Sequence, residues 1–368
     1  MIHSKKKTAI LRSTGEDAFF AASNSANGFH SYYSDCFDAR EIGRVYVIKG
    51  GPGTGKSRFM REVSVCGRAN GWHVRMIYCS SDADSLDGVI LQKGGESIAL
   101  LDGTAPHIYE PKLPGVREEI INLGDFWDSS RLRAGRERIE ELNQIKRQAY
   151  RMAYRYLSAY GSVYQNRSEK MSPYMRRKAI ADYAKKLMQQ VPTEEAFSTQ
   201  TALISSVGMR GVLGFDTYLA QAKKRYLIED CKGCGELLLM ELYRLASEKR
   251  LRVRVSRDPI LPELIDGLFL VGSEIAFVLN SWEEIPYPYH RISTRRFVKI
   301  SNMGAVRESV RFDVRMCQAM LDGVLEQMEE IRQAHFALED VYSQAMDFER
   351  KEEFTKKFCN SLFDLKNG

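Results

Sequence analysis

No stretch of the sequence is apolar for long enough to cross a membrane. The best candidate, Leu268 to Leu279, is short and contains Glu274, so neither a transmembrane helix nor membrane contact is expected. The first residues include lysines but no sustained apolar region after them, and no signal peptide is expected either. Low-complexity tracts are also missing. With 368 residues, of which 44% are hydrophobic and 28% charged, the chain is predicted to form two globular domains.

Cysteine occurs in an odd number and without a regular pattern. The seven cysteines lie at positions 36, 66, 79, 231, 234, 317 and 359. A disulfide framework is therefore not expected, and reduced thiols in a cytoplasmic protein are favoured. Cys231 and Cys234 have the spacing of a redox motif or of half a zinc site. Because no second Cys or His pair lies nearby, we interpret this spacing as chance.

The segment from Val45 to Ser57 carries the strongest signal in the chain. It ends in GGPGTGKS, which fits the pattern G-x-x-x-x-G-K-[ST] of the phosphate-binding loop (P-loop) of nucleoside triphosphatases. An apolar, β-branched run enters the loop and a helix-compatible segment, 58–70, leaves it, which is the context that the motif requires. Glycines let successive backbone N–H groups turn towards a phosphate chain, and the following helix N-terminus adds its dipole.

The residues of this loop have expected roles. Lys56 is predicted to neutralise the β- and γ-phosphates and is the first catalytic candidate, while the Ser57 hydroxyl is predicted to hold Mg²⁺. The motif predicts a nucleoside triphosphate but does not specify its base. The predicted nucleotide-binding residues are Gly50, Gly51, Pro52, Gly53, Thr54, Gly55, Lys56, Ser57 and Arg58.

A second signal is an apolar run that ends in an aspartate. Glu96 to Asp102 predicts a buried strand, and its pattern matches the Mg²⁺-associated acidic strand of P-loop proteins. Asp102 is therefore predicted to organise the metal together with Ser57. Strands that alternate with helices predict a parallel sheet, with ligands at the carboxyl ends of the strands. The P-loop, Asp82 and Asp102 all fall at such ends.

Asp82, Asp84 and His107 are further candidates for catalysis. Asp82 or Asp84, after the predicted strand 73–79, could orient water or a phosphate acceptor, and an Asx-turn or helix cap would explain either residue equally well. His107 follows Asp102 closely, where a sensor of the γ-phosphate could lie; an ordinary loop histidine is the alternative. No glutamate follows Asp102 directly, so the water-activating carboxylate common in motor-type ATPases is not evident there.

Two segments, about 130–191 and 307–365, predict amphipathic helices that turn back as helical hairpins. Residues 131–190 contain 15 Arg or Lys, 5 Asp or Glu and seven tyrosines, whereas residues 307–365 contain 8 Arg or Lys and 13 Asp or Glu. The basic hairpin could bind a nucleic-acid backbone and stack its bases. The opposite charges instead favour contact between the two hairpins, within one chain or in a homo-oligomer, so nucleic acid is the less favoured partner.

The second half of the sequence resembles a diverged copy of the first. Residues 44–56 align with residues 224–236 at a shift of 180 positions, with identical residues at 46/226, 48/228, 53/233 and 55/235. HVRM at 73–76 also matches RVRV at 252–255. Asp87-Gly88 recurs as Asp266-Gly267, which we interpret as a structural turn. An internal duplication explains these ordered matches together.

The copy has lost the chemistry of the loop. Gly50, Lys56 and Ser57 are replaced by Asp230, Glu236 and Leu237. Carboxylates would repel phosphate, and a leucine cannot ligate a metal. The second copy is therefore predicted to be a structural or regulatory partner. The predicted fold is α/β, with tandem P-loop-like parallel-sheet domains, each with a helical hairpin: an N-terminal arm at 1–18, the intact domain at 19–198 and the degenerate domain at 199–368.

The chain resembles a bacterial, Firmicutes-type family of ATPase-like proteins with tandem P-loop domains. The resemblance rests on Val47 to Ser57, Cys79 to Gly88, Asp102 to His107 and the run from Glu110 to Gly115, and it covers nearly the whole length. It implies P-loop folds, ATP or GTP with Mg²⁺, and a cytoplasmic location. In that family both copies can carry a P-loop, and here the second copy departs from the pattern.

Three functions are consistent with these signals. The first is Mg²⁺-dependent hydrolysis of a nucleoside triphosphate, with ATP favoured, at the N-terminal loop. The second is a small-molecule or nucleotide kinase that uses the same site, favoured by the missing glutamate after Asp102. The third is a nucleotide-dependent switch that binds nucleic acid or a protein partner through the helical hairpins. The net charge of +6 permits an anionic partner without identifying one.

Overall fold

The computed structural model describes residues 9–11, 17–38, 41–105, 109–195, 197–279, 285–304 and 306–364. The strands, in chain order, are β1 Ala9–Leu11, β2 Asp17–Phe20, β3 Ala22–Ser25, β4 Gly28–Ser31, β5 Arg44–Lys49, β6 His73–Tyr78, β7 Leu86–Lys93, β8 Glu96–Asp102, β9 Glu118–Asn122, β10 Ser198–Thr201, β11 Ser205–Gly208, β12 Gly211–Phe215, β13 Lys224–Glu229, β14 Arg252–Arg257, β15 Ile265–Leu270, β16 Ile275–Leu279 and β17 His290–Ser293. The helices are α1 Tyr33–Cys36, α2 Lys56–Ala69, α3 Ser129–Ala134, α4 Arg136–Met171, α5 Arg177–Met188, α6 Thr217–Gln221, α7 Cys234–Glu248, α8 Arg307–Ser343 and α9 Phe348–Asp364.

The fold is mixed α/β and contains two six-stranded sheets. The strand order is β2-β6-β7-β8-β5-β9 in the first sheet and β10-β14-β15-β16-β13-β17 in the second. In each sheet one strand, β7 or β15, runs antiparallel to both of its neighbours, and the other strand pairs are parallel. The predicted α/β class is confirmed, whereas the prediction of purely parallel sheets is wrong at these two strands.

The antiparallel strand follows from the short connections on either side of it. Gly94 and Gly95, with φ of 56° and 85°, form a two-residue turn between β7 and β8, so the chain reverses without a crossover helix. Asp87-Gly88, which we predicted to be a turn, lies inside β7, and Asp266-Gly267 lies inside β15. Both aspartates are skipped in the pairing with the neighbouring strand, so the recurring pair marks a β-bulge.

The predicted P-loop elements form where the sequence places them. β5 has a buried centre, and α2 begins at Lys56, directly after the loop. The apolar side of α2, which includes Phe59, Met60 and Val63, packs on the first sheet. The helix ends before Asn70-Gly71, where Gly71 has a left-handed φ of 77°. The predicted buried strand from Glu96 to Asp102 is also confirmed as β8.

The predicted helical hairpins are wrong in their pairing. α4 makes its long contact with α8 rather than with α5, while α5 packs on α7 and α9 packs on α2. The reason is length: α4 has 36 residues and α8 has 37, so each can cover the apolar face of the other, which the 12-residue α5 could not. The acidic α8 also suits the basic α4, and Lys170 donates to Asp313 at 2.7 Å.

The short helices α5 and α9 therefore cross between the halves of the chain, with residues 1–198 as the first half and 199–368 as the second. α5 belongs to the first half but covers α7 of the second, and α9 belongs to the second half but covers α2 of the first. We call α5 and α9 the exchanged helices. Each sheet thus has one face completed by a helix from the other half.

The two sheets also share one hydrophobic core. Phe19 and Phe20 of β2 pack against Tyr218 and Phe215 from the second half. Beside them, Asp17 accepts a hydrogen bond from Arg75 at 2.8 Å and lies 3.5 Å from Arg254. Burial tends to raise the pKa of Asp17, but the two guanidinium groups hold it below its ordinary value. The halves are therefore joined by buried apolar and charged contacts.

The ends of the predicted domains contain regular structure. Part of the predicted N-terminal arm, Ala9–Leu11, pairs with β12 of the second half, and the remainder of residues 1–16 lies outside the described residues. β10, at the predicted boundary after residue 198, belongs to the second sheet. Within the described part of the chain, none of the helices combines the length and apolar character that crossing a membrane requires.

Candidate phosphate-binding site

The loop between β5 and α2 has the backbone form that a phosphate cradle requires. Gly53 and Gly55 have left-handed φ values of 70° and 79°, which strain any residue with a Cβ. The Thr54 hydroxyl donates to the Gly51 carbonyl at 2.8 Å and closes the loop on itself. The N-terminus of α2 then starts at Lys56 and points its unpaired N–H groups towards the loop.

Lys56 and Asp102 meet at this loop although they come from different elements. The Lys56 ammonium donates to the carbonyls of Gly50 and Gly51 at 3.1 and 2.8 Å, and it lies 3.6 Å from Asp102 Oδ2. Asp102 Oδ1 accepts from the Thr104 N–H at 2.8 Å. Burial raises the pKa of the Asp102 carboxyl, and the nearby Lys56 charge opposes this rise. The lysine thus has one charged partner and two neutral ones.

Ser57 and Asp102 are the residues that could hold a metal. Ser57 Oγ accepts from the Leu86 N–H at 3.0 Å, and an oxygen lone pair is left for a ligand. Across the described residues, no group of three or more His, Cys, Asp or Glu is arranged to hold an ion. One hydroxyl and one carboxylate fit Mg²⁺ shared with substrate phosphates better than an all-protein metal cage.

Asp82 is buried beside the site and has a structural role there. Its carboxylate accepts from the Asp84 N–H at 3.2 Å and from the Ser85 hydroxyl at 2.6 Å, which is the Asx-turn given above as the alternative. Asp84 is exposed and pairs with Arg210. The catalytic role of Asp82 stays a prediction, and His107 lies outside the described residues.

Arg58, the last predicted nucleotide-binding residue, directs its guanidinium towards helix partners. It donates to Glu62 at 2.8 Å and to Glu352 of α9 at 2.6 Å. Its backbone, in the first turn of α2, remains at the edge of the site. The first turn of α2, directly after the candidate loop, is therefore linked through this side chain to an exchanged helix.

The second half of the chain covers the loop closely. A Cβ on Gly51 would lie 2.6 Å from the ring of Tyr342, and a Cβ on Gly53 would overlap the carbonyl oxygen of Glu339. The hydrogen bond with His335 lowers the pKa of Glu339, and the Gly53 backbone contributes to the same shift. The close approach of α8 thus gives Gly51 and Gly53 a second reason to be glycine.

A cavity of about 800 Å³ extends from the P-loop into the space between the two long helices. It is bounded by the loop, Ser57, Asp82, Asp87, Asp102, Lys146, Tyr150, Tyr154, His335 and Glu339, among others. The residues from α4 and α8 were not predicted as site residues, because they lie far along the chain from the motif. The sequence feature that pointed towards them was the predicted contact between a basic and an acidic helical segment.

The tyrosines of α4 face inward. Tyr150 donates to Ser81 at 3.0 Å and Tyr154 donates to Asn24 at 2.9 Å. Burial raises the pKa of Tyr154 to about 12. These rings are therefore used in packing and in lining the cavity, which weakens the case for base stacking on this helix.

In the corresponding loop of the second half, a carboxylate of the chain itself bonds to the loop N–H groups. Asp230 accepts hydrogen bonds from the N–H of Gly233 at 2.9 Å and of Gly235 at 2.6 Å. Glu236 accepts from the Tyr164 hydroxyl, and burial raises its pKa to about 8. Cys231 is half-buried and Cys234 is buried, and both are free thiols. Backbone N–H groups that could bind a phosphate are already satisfied by Asp230.

Comparison of the chain with models of protein families, with curated proteins and with solved structures found no match. The chemistry of the site itself therefore carries the functional interpretation.

Proposed function

We propose that the chain binds a nucleoside triphosphate with Mg²⁺, most readily ATP, at Gly50–Ser57 and hydrolyses it. The observation that carries this proposal is the meeting of Lys56 with Asp102, whose charged atoms lie 3.6 Å apart at the end of a deep cavity. One residue starts a helix and the other ends a strand, and each is of the type that phosphoryl transfer requires at that place. Two separate signals thus support one site.

Each residue has a defined part in this reaction. A water oxygen would attack the terminal phosphorus while the bond to the β–γ bridging oxygen breaks, giving the nucleoside diphosphate, inorganic phosphate and a proton. Lys56 would exchange its two neutral carbonyl acceptors for phosphate oxygens, which form stronger, charge-assisted hydrogen bonds. Ser57 and Asp102 would hold Mg²⁺, which supplies positive charge to the β- and γ-phosphates when bound.

The second half is proposed to be a degenerate copy that serves as a structural or regulatory partner. The identical strand order and the β-bulge at Asp87 and Asp266 support an internal duplication. The bound carboxylate of Asp230 supports the loss of phosphate binding in that copy. The contacts of α8 and α9 with the first loop support a role in completing the active half. The same features fit the resemblance to ATPase-like proteins with tandem P-loop domains.

A kinase is the second candidate, and the shape of the cavity favours it. The space beyond Lys56 is lined by Tyr150, Tyr154 and Asn24, which offer polar groups to a second small molecule. Gly103 follows Asp102, so the carboxylate that would activate water is missing at that position. A phosphoryl acceptor bound in the cavity would then take the place of water.

Phosphate release from MgATP and MgGTP tests the proposal, with Lys56→Ala as the disabled variant. Lys56→Ala is expected to lower turnover by about a hundredfold or more, since it removes the charge that stabilises the transferring phosphoryl group. Glu236→Gln, at the matching position of the second loop, is the control and should leave turnover unchanged. Turnover that appears only with an added acceptor would favour the kinase, and binding without turnover would favour the nucleotide-dependent switch. Absence of nucleotide binding by the wild type would refute all three.

A further inference from the structure

Lys146 faces the same cavity as Lys56 but comes from a different part of the chain. It lies on α4 and is half-buried, whereas its neighbour Arg147 is exposed on the outer side of that helix. Both side chains line the same cavity. Burial lowers the pKa of Lys146, the nearby Cys79 and Glu339 oppose this shift, and the charge of Lys56 adds to it. Two cations therefore face one cavity.

The partner of Lys146 is an imidazole. Lys146 Nζ lies 3.1 Å from His335 Nδ1, and a charged ammonium can only donate, so Nδ1 accepts and the ring carries its proton on Nε2. His335 Nε2 lies 3.5 Å from Glu339 Oε1, which fits this tautomer. The imidazole therefore positions Lys146 and supplies no negative charge to it.

Three of the carboxylates around the cavity are held by other groups. Asp82 accepts from Ser85, Asp102 lies beside Lys56, and Glu339 is bound by His335. Within the described ranges, Lys146 makes no ion pair with any of them. A partly desolvated ammonium that makes no direct ion pair is costly, and an anionic ligand that enters the cavity would supply that partner.

We propose that Lys146 binds the terminal phosphate of the nucleotide as a second cation, supplied within the chain by α4. This inference rests on the proposed function and gives α4 a part in it. P-loop enzymes need positive charge on the transferring phosphoryl group beyond the loop lysine, and a residue from outside the loop often supplies it. His335 acts as the positioning residue, because its ring holds the Lys146 amine at the cavity wall.

The test compares dissociation constants for MgATP and MgADP in the full-length chain. Lys146→Met should weaken binding of MgATP by about tenfold to a hundredfold, the usual loss for a hydrogen bond between charged groups. It should leave binding of MgADP within about twofold, because the diphosphate lacks the group that Lys146 contacts. Lys146→Arg keeps the charge and should recover most of the loss. Arg147→Met removes one charge from the adjacent exposed position and should change neither constant.

Several outcomes would overturn the inference. Equal losses for MgATP and MgADP would mean that Lys146 supports the site as a whole and does not contact the terminal phosphate. Unchanged dissociation constants for both nucleotides in Lys146→Met, together with weakened binding in Lys56→Ala, would refute the role of Lys146 and leave the proposed function standing. If the wild type binds neither nucleotide, both fail. Thermal melting monitors folding, and Lys146→Gln carries the same expectation if Lys146→Met does not fold.

Discussion

The two loops that follow β5 and β13 carry side chains of opposite charge at matching places in the fold. A lysine bonds to the carbonyls of the first loop, and an aspartate bonds to the N–H groups of the second. In the first, α2 starts at Lys56 after left-handed Gly55, and the lysine bonds to loop carbonyls. In the second, Gly233 is the left-handed residue and α7 starts directly after it, with Asp230 bound to the helix N-terminus. An internal carboxylate satisfies the same N–H groups that a phosphate would, so the second loop is complete without a ligand.

The two loops also differ in what lies against them. The first is touched by the C-terminal part of α8, which brings Glu339 and Tyr342 to its glycines. The second is touched by the C-terminal part of α4, from which Tyr164 bonds to Glu236 and Arg167 lies over the Tyr164 ring at 4.1 Å. One loop therefore borders a cavity lined by ammonium groups, and the other is packed into a buried cluster of acidic and aromatic side chains.

The largest effect is expected from adding a methyl group at the matched left-handed glycines. Gly53→Ala should lower the free energy of unfolding by about 3 kcal/mol or more, because the Cβ adds a clash with the Glu339 carbonyl to the backbone strain. Gly233→Ala has a similar φ but its nearest neighbour is the flexible end of Met175 at 3.4 Å, so strain of about 1–2 kcal/mol is expected. Urea unfolding of both variants measures the difference, and equal losses would show that α8 does not press on the first loop.

Removing the internal anion of the second loop should have the next largest effect. Asp230→Ala leaves the N–H groups of Gly233 and Gly235 without their acceptor and should cost about 2–3 kcal/mol of stability. Asp230→Asn keeps one acceptor oxygen and should lose less than half of that. Thermal melting compares the two variants. If Asn is as damaging as Ala, charge rather than hydrogen bonding accounts for the stabilisation.

The contribution of Glu236 in the second loop to the stability of the protein should depend on pH. Folding raises the pKa of the Glu236 carboxyl from 4.5 to about 8, so the folded state binds a proton there more tightly than the unfolded chain does. The free energy of unfolding therefore falls as the pH rises from about 4.5 to about 8. Glu236→Gln removes this contribution and should exceed the wild type in stability at pH 8 by on the order of 2 kcal/mol. The advantage should shrink towards pH 5. Asp266, with a pKa of about 7, titrates in both proteins and cancels in the difference. Melting curves at three pH values test this, and a constant difference would contradict it.

The smallest effect is expected for the ion pair between α2 and α9. Arg58 and Glu352 are 61% and 40% exposed, so Arg58→Gln should cost less than about 1 kcal/mol, and the loss should vanish in high salt. The pair of Lys170 with Asp313 near the second loop is the contrast, because Asp313 is only 5% exposed. Lys170→Met should cost more, about 1–2 kcal/mol, since it leaves a buried carboxylate without its cation, although Lys170 itself is 33% exposed. Equal losses in urea unfolding would show that burial does not distinguish them.

The local elements could be predicted from the sequence, and their long-range pairing could not. The P-loop helix, β8 and the charge contrast between the two helical segments follow from patterns of neighbouring residues. The strand β7 was not predicted, although Gly94-Gly95 signals a hairpin turn before β8. An amphipathic face shows that a helix such as α5 needs a partner but does not identify that partner, so the exchange of α5 and α9 was not foreseen. Lys146 and His335 were missed for the same reason, because only the packing of α4 on α8 brings them to the cavity.

The position of α9 also has a consequence for synthesis of the chain. The face of α2 that carries Phe59 is synthesised long before Phe354 and Phe358 of α9, which pack on that ring. This face of α2 therefore stays exposed until α9 has also been made. A messenger RNA truncated before the codon for residue 348 would yield a chain with an exposed apolar patch on α2. Chaperones bind such surfaces, and proteases cleave chains that expose them.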